Sequence, residues 1–101
     1  MKYTFYDDPG HGWLEVPMTE LVEMEIADKI STCSYRGGDY AYLEEDYDMT
    51  TFLRAKLHFS NTPGGWKNAQ DWWTDNVKEN DTATRTHAPE IFIRKLASYW
   101  H

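Results

Sequence analysis

Short runs of alternating polar and apolar residues predict four strands in the first half of the chain. Residues 2–6 read K-Y-T-F-Y, and residues 13–16 read W-L-E-V after the turn-rich segment D-D-P-G-H-G. Alternation with a period of two is typical of strands, whereas clusters of Gly, Pro and Asp mark turns. Two further strands are predicted over residues 30–35 and 40–44. They are joined by R-G-G-D, whose glycines permit a positive φ angle in a hairpin.

Apolar residues at three- and four-residue spacing predict four helices. The first covers about residues 17–27, with Pro17 in its first turn, and the second covers about residues 48–58. The polar run N-D-T-A-T-R-T-H predicts a loop between the last two helices. The apolar positions of these last two helices are Trp66, Ala69, Trp73 and Val77, then Phe92, Ile93, Leu96, Ala97 and Trp100 after Pro89.

The order of these elements predicts an α+β fold, with a small antiparallel sheet of about four strands in ββαββα order and two C-terminal helices. A chain of 101 residues, 41% of them hydrophobic, is expected to form a single domain. The breaker N-T-P-G-G at residues 61–65 predicts a boundary between an α+β unit (1–60) and a helical extension (61–101). No apolar run is long enough to span a membrane and no secretory signal is recognisable, so we expect a cytoplasmic protein.

Negative charge is concentrated in the N-terminal half. Residues 1–50 carry twelve Asp or Glu against three Lys or Arg, whereas residues 51–101 carry five against seven. An acidic surface repels phosphate groups, which argues against direct binding to nucleic acid or to an anionic membrane. We therefore expect a protein partner with a basic surface.

The most acidic segment is D-Y-A-Y-L-E-E-D-Y-D at residues 39–48. Tyr40 and Tyr42 are predicted on one face of a strand, and Ala41 and Leu43 on the other. Asp46 or Asp48 is predicted to cap the following helix. A capped helix with solvated charges, a surface for a protein partner and a metal or catalytic site are all compatible with this pattern.

Tryptophans near the C-terminus offer a second contact surface. If Trp73 packs inward, Trp72 lies about 100° away around the helix, facing either a partner or another helix of its own fold. We predict no catalytic residue, metal site or cofactor. The predicted partner-binding residues are Asp39, Tyr40, Tyr42, Glu44, Glu45, Asp46, Asp48 and Trp72.

Two single residues have reactive side chains. His11 stands between two glycines, where it is either a turn residue or an exposed imidazole. Cys33 is the only cysteine, which excludes an internal disulfide, and it is predicted to be a buried filler of a strand. One alternative function is a small metal-assisted enzyme that uses His11 with Asp7, Asp8 or residues 44–46. Another is a protein that self-assembles through its own tryptophans, as a homo-oligomer.

Two strings give the N-terminal half a resemblance to known sequences. H-G-W-L-E-V-P at residues 11–17 and the segment matching S-Y-x-x-G-D-x-x-Y-L-E-E-D at residues 34–46 resemble a group of small uncharacterised proteins from phages and mobile elements. The resemblance implies a genomic setting and no reaction. In that setting, it suggests an accessory protein that inhibits a host enzyme, such as an anti-restriction or anti-CRISPR protein, with carboxylates in place of phosphates.

Overall fold

A mixed sheet with helices packed on one of its faces forms the centre of the fold. The structure is a computed structural model that describes residues 3–7, 10–58, 62–81 and 97–100. The strands in this part of the chain are β1 (Tyr3–Asp7), β2 (Gly12–Pro17), β3 (Tyr35–Gly37), β4 (Tyr40–Glu44), β5 (Val77–Asp81) and β6 (Ala97–Ser98). The helices are α1 (Met18–Glu23), a short 3-10 helix (Ala27–Lys29), α2 (Asp48–Leu57) and α3 (Pro63–Asn76).

The described strands form one sheet in the order β5-β1-β2-β4-β3-β6. Strands β1 to β4 pair antiparallel, β6 pairs antiparallel with β3, and β5 runs parallel to β1. The α+β class and the ββαββα order of the first half are therefore confirmed. The sheet is larger than expected, because residues after position 61 add a strand at each edge.

Alternation along the strands places one set of side chains in the core and another on the opposite face. Leu14 lies opposite Phe5 and Leu43 in the sheet register, and all three are buried. Leu21 of α1 and Phe52 of α2 pack into the same core. The predicted faces of β4 are confirmed, since the core side chains are separated from the tyrosines on the same strand.

The predicted 48–58 helix and the 40–44 strand agree with α2 and β4, but the segment between residues 17 and 35 differs from expectation. Helix α1 ends earlier than predicted because Glu25 adopts a left-handed conformation with φ 60°. The backbone N–H of Ile26 then donates to the carbonyl of Leu21, closing the helix end in a Schellman-type turn. Strand β3 begins only at Tyr35. Cys33 therefore lies in a turn and is exposed, so its predicted burial is wrong.

The described residues of the C-terminal part include two strands that were not expected. The predicted helix with Trp66, Ala69 and Trp73 is confirmed as α3, but Val77, which was expected on the same helix, begins β5. Strand β5 also takes in residues 80–81, the first two of the predicted loop. Pro63 and the two glycines after it form the first turn of α3, where the Thr62 side chain accepts from the Gly65 backbone N–H at 3.1 Å. Of the second predicted helix, residues 89–96 lie outside the described residues. Its end is wrong, because residues 97–98 form β6. The Tyr99 backbone N–H donates to the Ser34 carbonyl and its hydroxyl to the Ala27 carbonyl, which holds this end against the sheet.

A buried carboxylate connects α2 to the segment before β3. Asp48 is fully buried and accepts hydrogen bonds from the backbone N–H and hydroxyl of Ser31, at 2.9 and 2.7 Å, and from the hydroxyl of Ser34 at 2.5 Å. The residue that caps α2 is Tyr47, whose side chain makes no capping bond. Neither Asp46 nor Asp48 caps α2 as predicted. The Asp48 side chain is directed into the protein instead.

Replacing Asp48 by Ala should lower the free energy of unfolding by at least about 2 kcal/mol, because the two donors of Ser31 and the buried hydroxyl of Ser34 lose their acceptor. Asp46→Ala is the matched control: Asp46 is exposed in the same turn, so its removal should change stability by no more than about 0.5 kcal/mol. Urea unfolding followed by circular dichroism measures both variants. Equal midpoints for the two would show that Asp48 does not anchor the segment.

Candidate protein-binding site

The acidic segment does not form one continuous surface. Asp39 lies in the turn before β4, and its carbonyl accepts from the Met18 backbone N–H at the start of α1. Glu44, Glu45 and Asp46 lie at the other end of the strand. A strand rises about 3.3 Å per residue, so Asp39 and Glu44 are roughly 15 Å apart. Asp39 is therefore separated from the other three carboxylates, which were expected to share one surface with it.

The two predicted tyrosines differ in their surroundings. Tyr40 is 43% exposed beside Asp39, whereas Tyr42 is buried and donates its hydroxyl hydrogen to Glu15 at 2.9 Å. Burial, followed by the hydrogen bond to the Glu15 carboxylate, raises the pKa of Tyr42 above its ordinary value. Of the pair, Tyr40 is the side chain that a partner can contact extensively.

Asp48 and Trp72 lie where a partner has little access. Asp48 is fully buried, as described above. Trp72 is half-buried with its ring 5.5 Å from that of Tyr3, and its neighbour Trp73 lies 5.3 Å from Phe5. Both tryptophans pack against the core because indole rings are wide enough to reach the sheet from adjacent positions of α3. Trp72 therefore packs inside its own fold, as one of the two interpretations expected, but its ring contact is with Tyr3 of β1 and not with another helix.

Four carboxylates meet where β1, β2 and β4 approach the turn before α2. We call Asp7, Glu44, Glu45 and Asp46 the acidic corner. Partial burial raises the pKa of Glu45 above its ordinary value, and the negative charges of Asp46, Glu44 and Asp7 raise it further, while His11 opposes the shift. In the described part of the chain, the two ion pairs are Lys56–Glu20 and Lys67–Asp71, and neither involves this corner.

Backbone groups hold the acidic corner in place. The Glu44 carboxylate accepts from the backbone N–H groups of Asp46 and Tyr47, at 3.0 and 3.1 Å. The Glu45 backbone N–H donates to the Gly12 carbonyl at 3.0 Å. A Cβ atom on Gly12 would lie 2.3 Å from the Phe5 ring and 2.9 Å from a Glu45 carboxylate oxygen. Gly12 is thus required by this close approach, whereas the sequence suggested only a turn.

An aromatic cluster lies on the sheet face opposite the main core, next to the acidic corner. Trp13 is only 2% exposed and packs with Tyr6, Tyr35 and Tyr42. The exposed imidazole of His11 stacks on the Trp13 ring at 5.9 Å with an angle of 25° between the planes. A cleft of about 440 Å³, which we call the acidic cleft, is lined by His11, Trp13, Cys33, Tyr35, Glu44 and Asp46.

Metal ligation is poorly supported by the described geometry. Among the residues described, no group of three or more His, Cys, Asp or Glu side chains is arranged to hold a metal ion. His11 and Asp7 lie near Glu45, while Asp8 lies outside the described residues. The residues predicted to act with His11 in a metal-assisted enzyme are thus brought together only in part. Those that are described do not have the geometry of a metal centre.

A second cavity of about 760 Å³, the apolar groove, separates α1 and the 3-10 helix from the end of the chain. Val22 and Trp100 are 61% and 52% exposed beside it, and Arg36 and Asp28 lie on its walls. The Trp100 indole N–H donates to the Ile30 carbonyl, which fixes the ring at this position. Sequence reasoning missed this groove because its walls come from opposite ends of the chain.

Comparisons with protein-family models, curated proteins and solved structures found no match to this chain. None of the helices in the described ranges is long and apolar enough to cross a membrane. The fold and the site define a small α+β protein with an acidic corner beside an aromatic cluster.

The raised pKa of Glu45 predicts a pH-dependent effect on stability. The folded state favours the protonated carboxyl, so the stability associated with this group is fully present below its ordinary pKa of 4.5 and is lost as the pH rises through the folded-state value. Glu45→Gln should therefore raise the free energy of unfolding at pH 7, and the gain should vanish below about pH 4.

Urea unfolding of wild type and Glu45→Gln across this pH range measures the effect. Glu23→Gln is the control, because Glu23 is exposed on α1 and should show a smaller gain at pH 7. A lower stability of Glu45→Gln at neutral pH would contradict the repulsion at the acidic corner.

Proposed function

We propose that this protein is a non-enzymatic accessory protein that binds another protein through the acidic corner and inhibits it. Its partner presents a basic surface, and no cofactor takes part. The observation that carries this proposal is the gathering of four carboxylates at the acidic corner, where two backbone N–H groups hold Glu44 and the described ion pairs lie elsewhere. The raised pKa of Glu45, which arises from partial burial and from the neighbouring carboxylates, agrees with like charges held close together. Functional sites are where groups with shifted pKa values are commonly found.

An exposed aromatic residue adjoins the acidic corner. Tyr47 follows Asp46 directly and is 64% exposed at the start of α2. Tyrosine is among the residues that contribute most at protein interfaces, because its ring buries a large area and its hydroxyl still bonds. A partner that contacts Asp46 would therefore also cover Tyr47. Charge would steer the encounter, and the ring would supply apolar contact.

The resemblance of the N-terminal half to phage and mobile-element proteins supports an inhibitor of a host enzyme that handles nucleic acid. Such a protein would act in the host cytoplasm, in an anti-restriction or anti-CRISPR role. The surfaces of these enzymes are basic because they bind phosphates. With Asp39 roughly 15 Å from Glu44, the acidic corner resembles a compact group of phosphates more than a continuous DNA backbone. The protein would then mimic nucleic-acid phosphates only at the acidic corner.

Capture from a bacterial lysate tests this proposal. Immobilised wild type should retain a stoichiometric partner that elutes with salt, and the double variant Glu45→Lys, Asp46→Lys should lose it. Glu44 stays unchanged because its carboxylate holds the turn. The control is Glu23→Lys, Glu25→Lys, which makes the same change in net charge at exposed positions at the end of α1 and just after it, and should retain the partner.

The partner can be identified by mass spectrometry, and its activity can be assayed with and without the protein. Equal loss of the partner in both double variants would show that only net charge matters. Retention by Glu45→Lys, Asp46→Lys would show that the acidic corner is not the contact surface.

Self-assembly is a second candidate, because Val22 and Trp100 expose large apolar areas beside the same groove. If a second copy covers this groove, light scattering should show a mass that rises with concentration, and Trp100→Ala should reduce that rise. Trp66→Ala is the control, since Trp66 is exposed on α3 away from the residues lining the groove. A monomeric mass at all concentrations would exclude this candidate.

A further inference from the structure

We propose that the acidic cleft receives the guanidinium group of an arginine side chain from the partner. This inference rests on the proposed function and adds the chemical group that the site recognises. The cleft combines two carboxylates, from Glu44 and Asp46, with a half-buried tyrosine ring, from Tyr35. Carboxylates accept the N–H groups of a guanidinium, and aromatic rings attract its positive charge.

The carboxylates differ in how firmly they are held. Glu44 uses one lone pair of each oxygen for the backbone N–H groups of Asp46 and Tyr47, which fixes its orientation. Each oxygen keeps a second lone pair that can accept another donor. Asp46 is exposed on the rim of the cleft and can turn toward an incoming cation. A fixed acceptor and an adjustable one suit a donor group with several N–H bonds.

The rings are positioned by a buried tryptophan. Trp13 stacks with His11 on one side and meets Tyr35 edge to face, with 6.4 Å between the ring centroids and 68° between the planes. Because Trp13 is almost completely buried, it supports the cleft wall and offers little surface itself. Tyr35 is partly accessible, so a planar cation can lie against it. We therefore assign the direct contact to Tyr35 and a positioning role to Trp13.

Charge complementarity distinguishes this cleft from the apolar groove. No Lys or Arg is found among the described residues that line the cleft, and Glu45 adds a further negative charge nearby. Arg36 follows Tyr35 on β3, but strand alternation places it on the other face, where it lines the apolar groove. Arginine fits better than lysine, because its planar group stacks on a ring and also makes paired bonds to a carboxylate.

Titration with N-acetyl-arginine amide tests the proposal without any partner protein. Amide shifts in ¹H–¹⁵N spectra should be confined to residues that line the cleft, and N-acetyl-citrulline amide, which has the shape without the charge, should give none. Cys33 lines the cleft and is the only cysteine, so its alkylation by iodoacetamide should slow when the arginine compound is bound.

Four variants separate the expected contacts. Tyr35→Leu and Asp46→Asn should each weaken binding by about fivefold, because each removes one attraction for the cation. Tyr35→Phe keeps the ring and should bind like wild type, and Asp39→Asn, which makes the same change in charge at the far end of β4, should also bind like wild type. Retained chemical-shift dispersion in each spectrum checks that the variant is folded.

Shifts that are absent at millimolar arginine compound, that map to Val22 and Trp100, or that titrate with wild-type affinity in Tyr35→Leu would overturn the proposal. The lysate experiment remains separate from this one. A partner that is lost with Glu45→Lys, Asp46→Lys while the arginine compound fails to bind would leave the proposed function standing and remove this inference alone. Binding of the arginine compound without any captured partner would refute the proposed function and leave the cleft as a guanidinium site.

Discussion

The buried carboxylate of Asp48 is the interaction on which the arrangement of the site depends. It accepts hydrogen bonds from the backbone N–H and the hydroxyl of Ser31 and from the hydroxyl of Ser34. The Ser34 hydroxyl also accepts from the backbone N–H of Glu44, and the Ser34 carbonyl accepts from Tyr99. This carboxylate therefore connects the start of α2 to Ser31 and Ser34, and Ser34 in turn connects them to the end of β4 and the C-terminal turn. The acidic corner and the acidic cleft both lie on this junction.

The sequence predicts the parts of the fold that depend on local pattern. Alternation in residues 40–44 identifies β4 and both of its faces, and the spacing of apolar residues identifies α2 almost to the residue. Local pattern could not reveal β5, because its neighbour is β1 at the other end of the chain. It also misassigned Asp48 as a cap, since Ser31 and Ser34 receive its hydrogen bonds only after the chain has folded.

The candidate site was only partly predictable for the same reason. Glu44, Glu45 and Asp46 are adjacent in the sequence, so their proximity follows from the chain itself. Their association with Asp7 and Trp13 depends on the β1–β2–β4 register, which brings Asp7 opposite Gly12 and Trp13 opposite Glu44. Conversely, Asp39 belongs to the same sequence segment but is removed from the corner by the length of β4. The density of negative charge in the sequence therefore predicted a larger continuous acidic surface than the folded protein has.

The two faces of the sheet carry different physical requirements. On the core face, apolar side chains of β1, β2 and β4 are covered by the helices, and polar groups there are paired, as in the Tyr3 hydroxyl that donates to Glu20 while Lys56 pairs with the same carboxylate. At the acidic corner, in contrast, like charges are held together by backbone bonds that leave their charge uncompensated by any described ion pair. Satisfying Glu44 with neutral N–H groups fixes its position without removing its charge. That combination of a rigid position and a retained charge is what recognition of a cationic group requires.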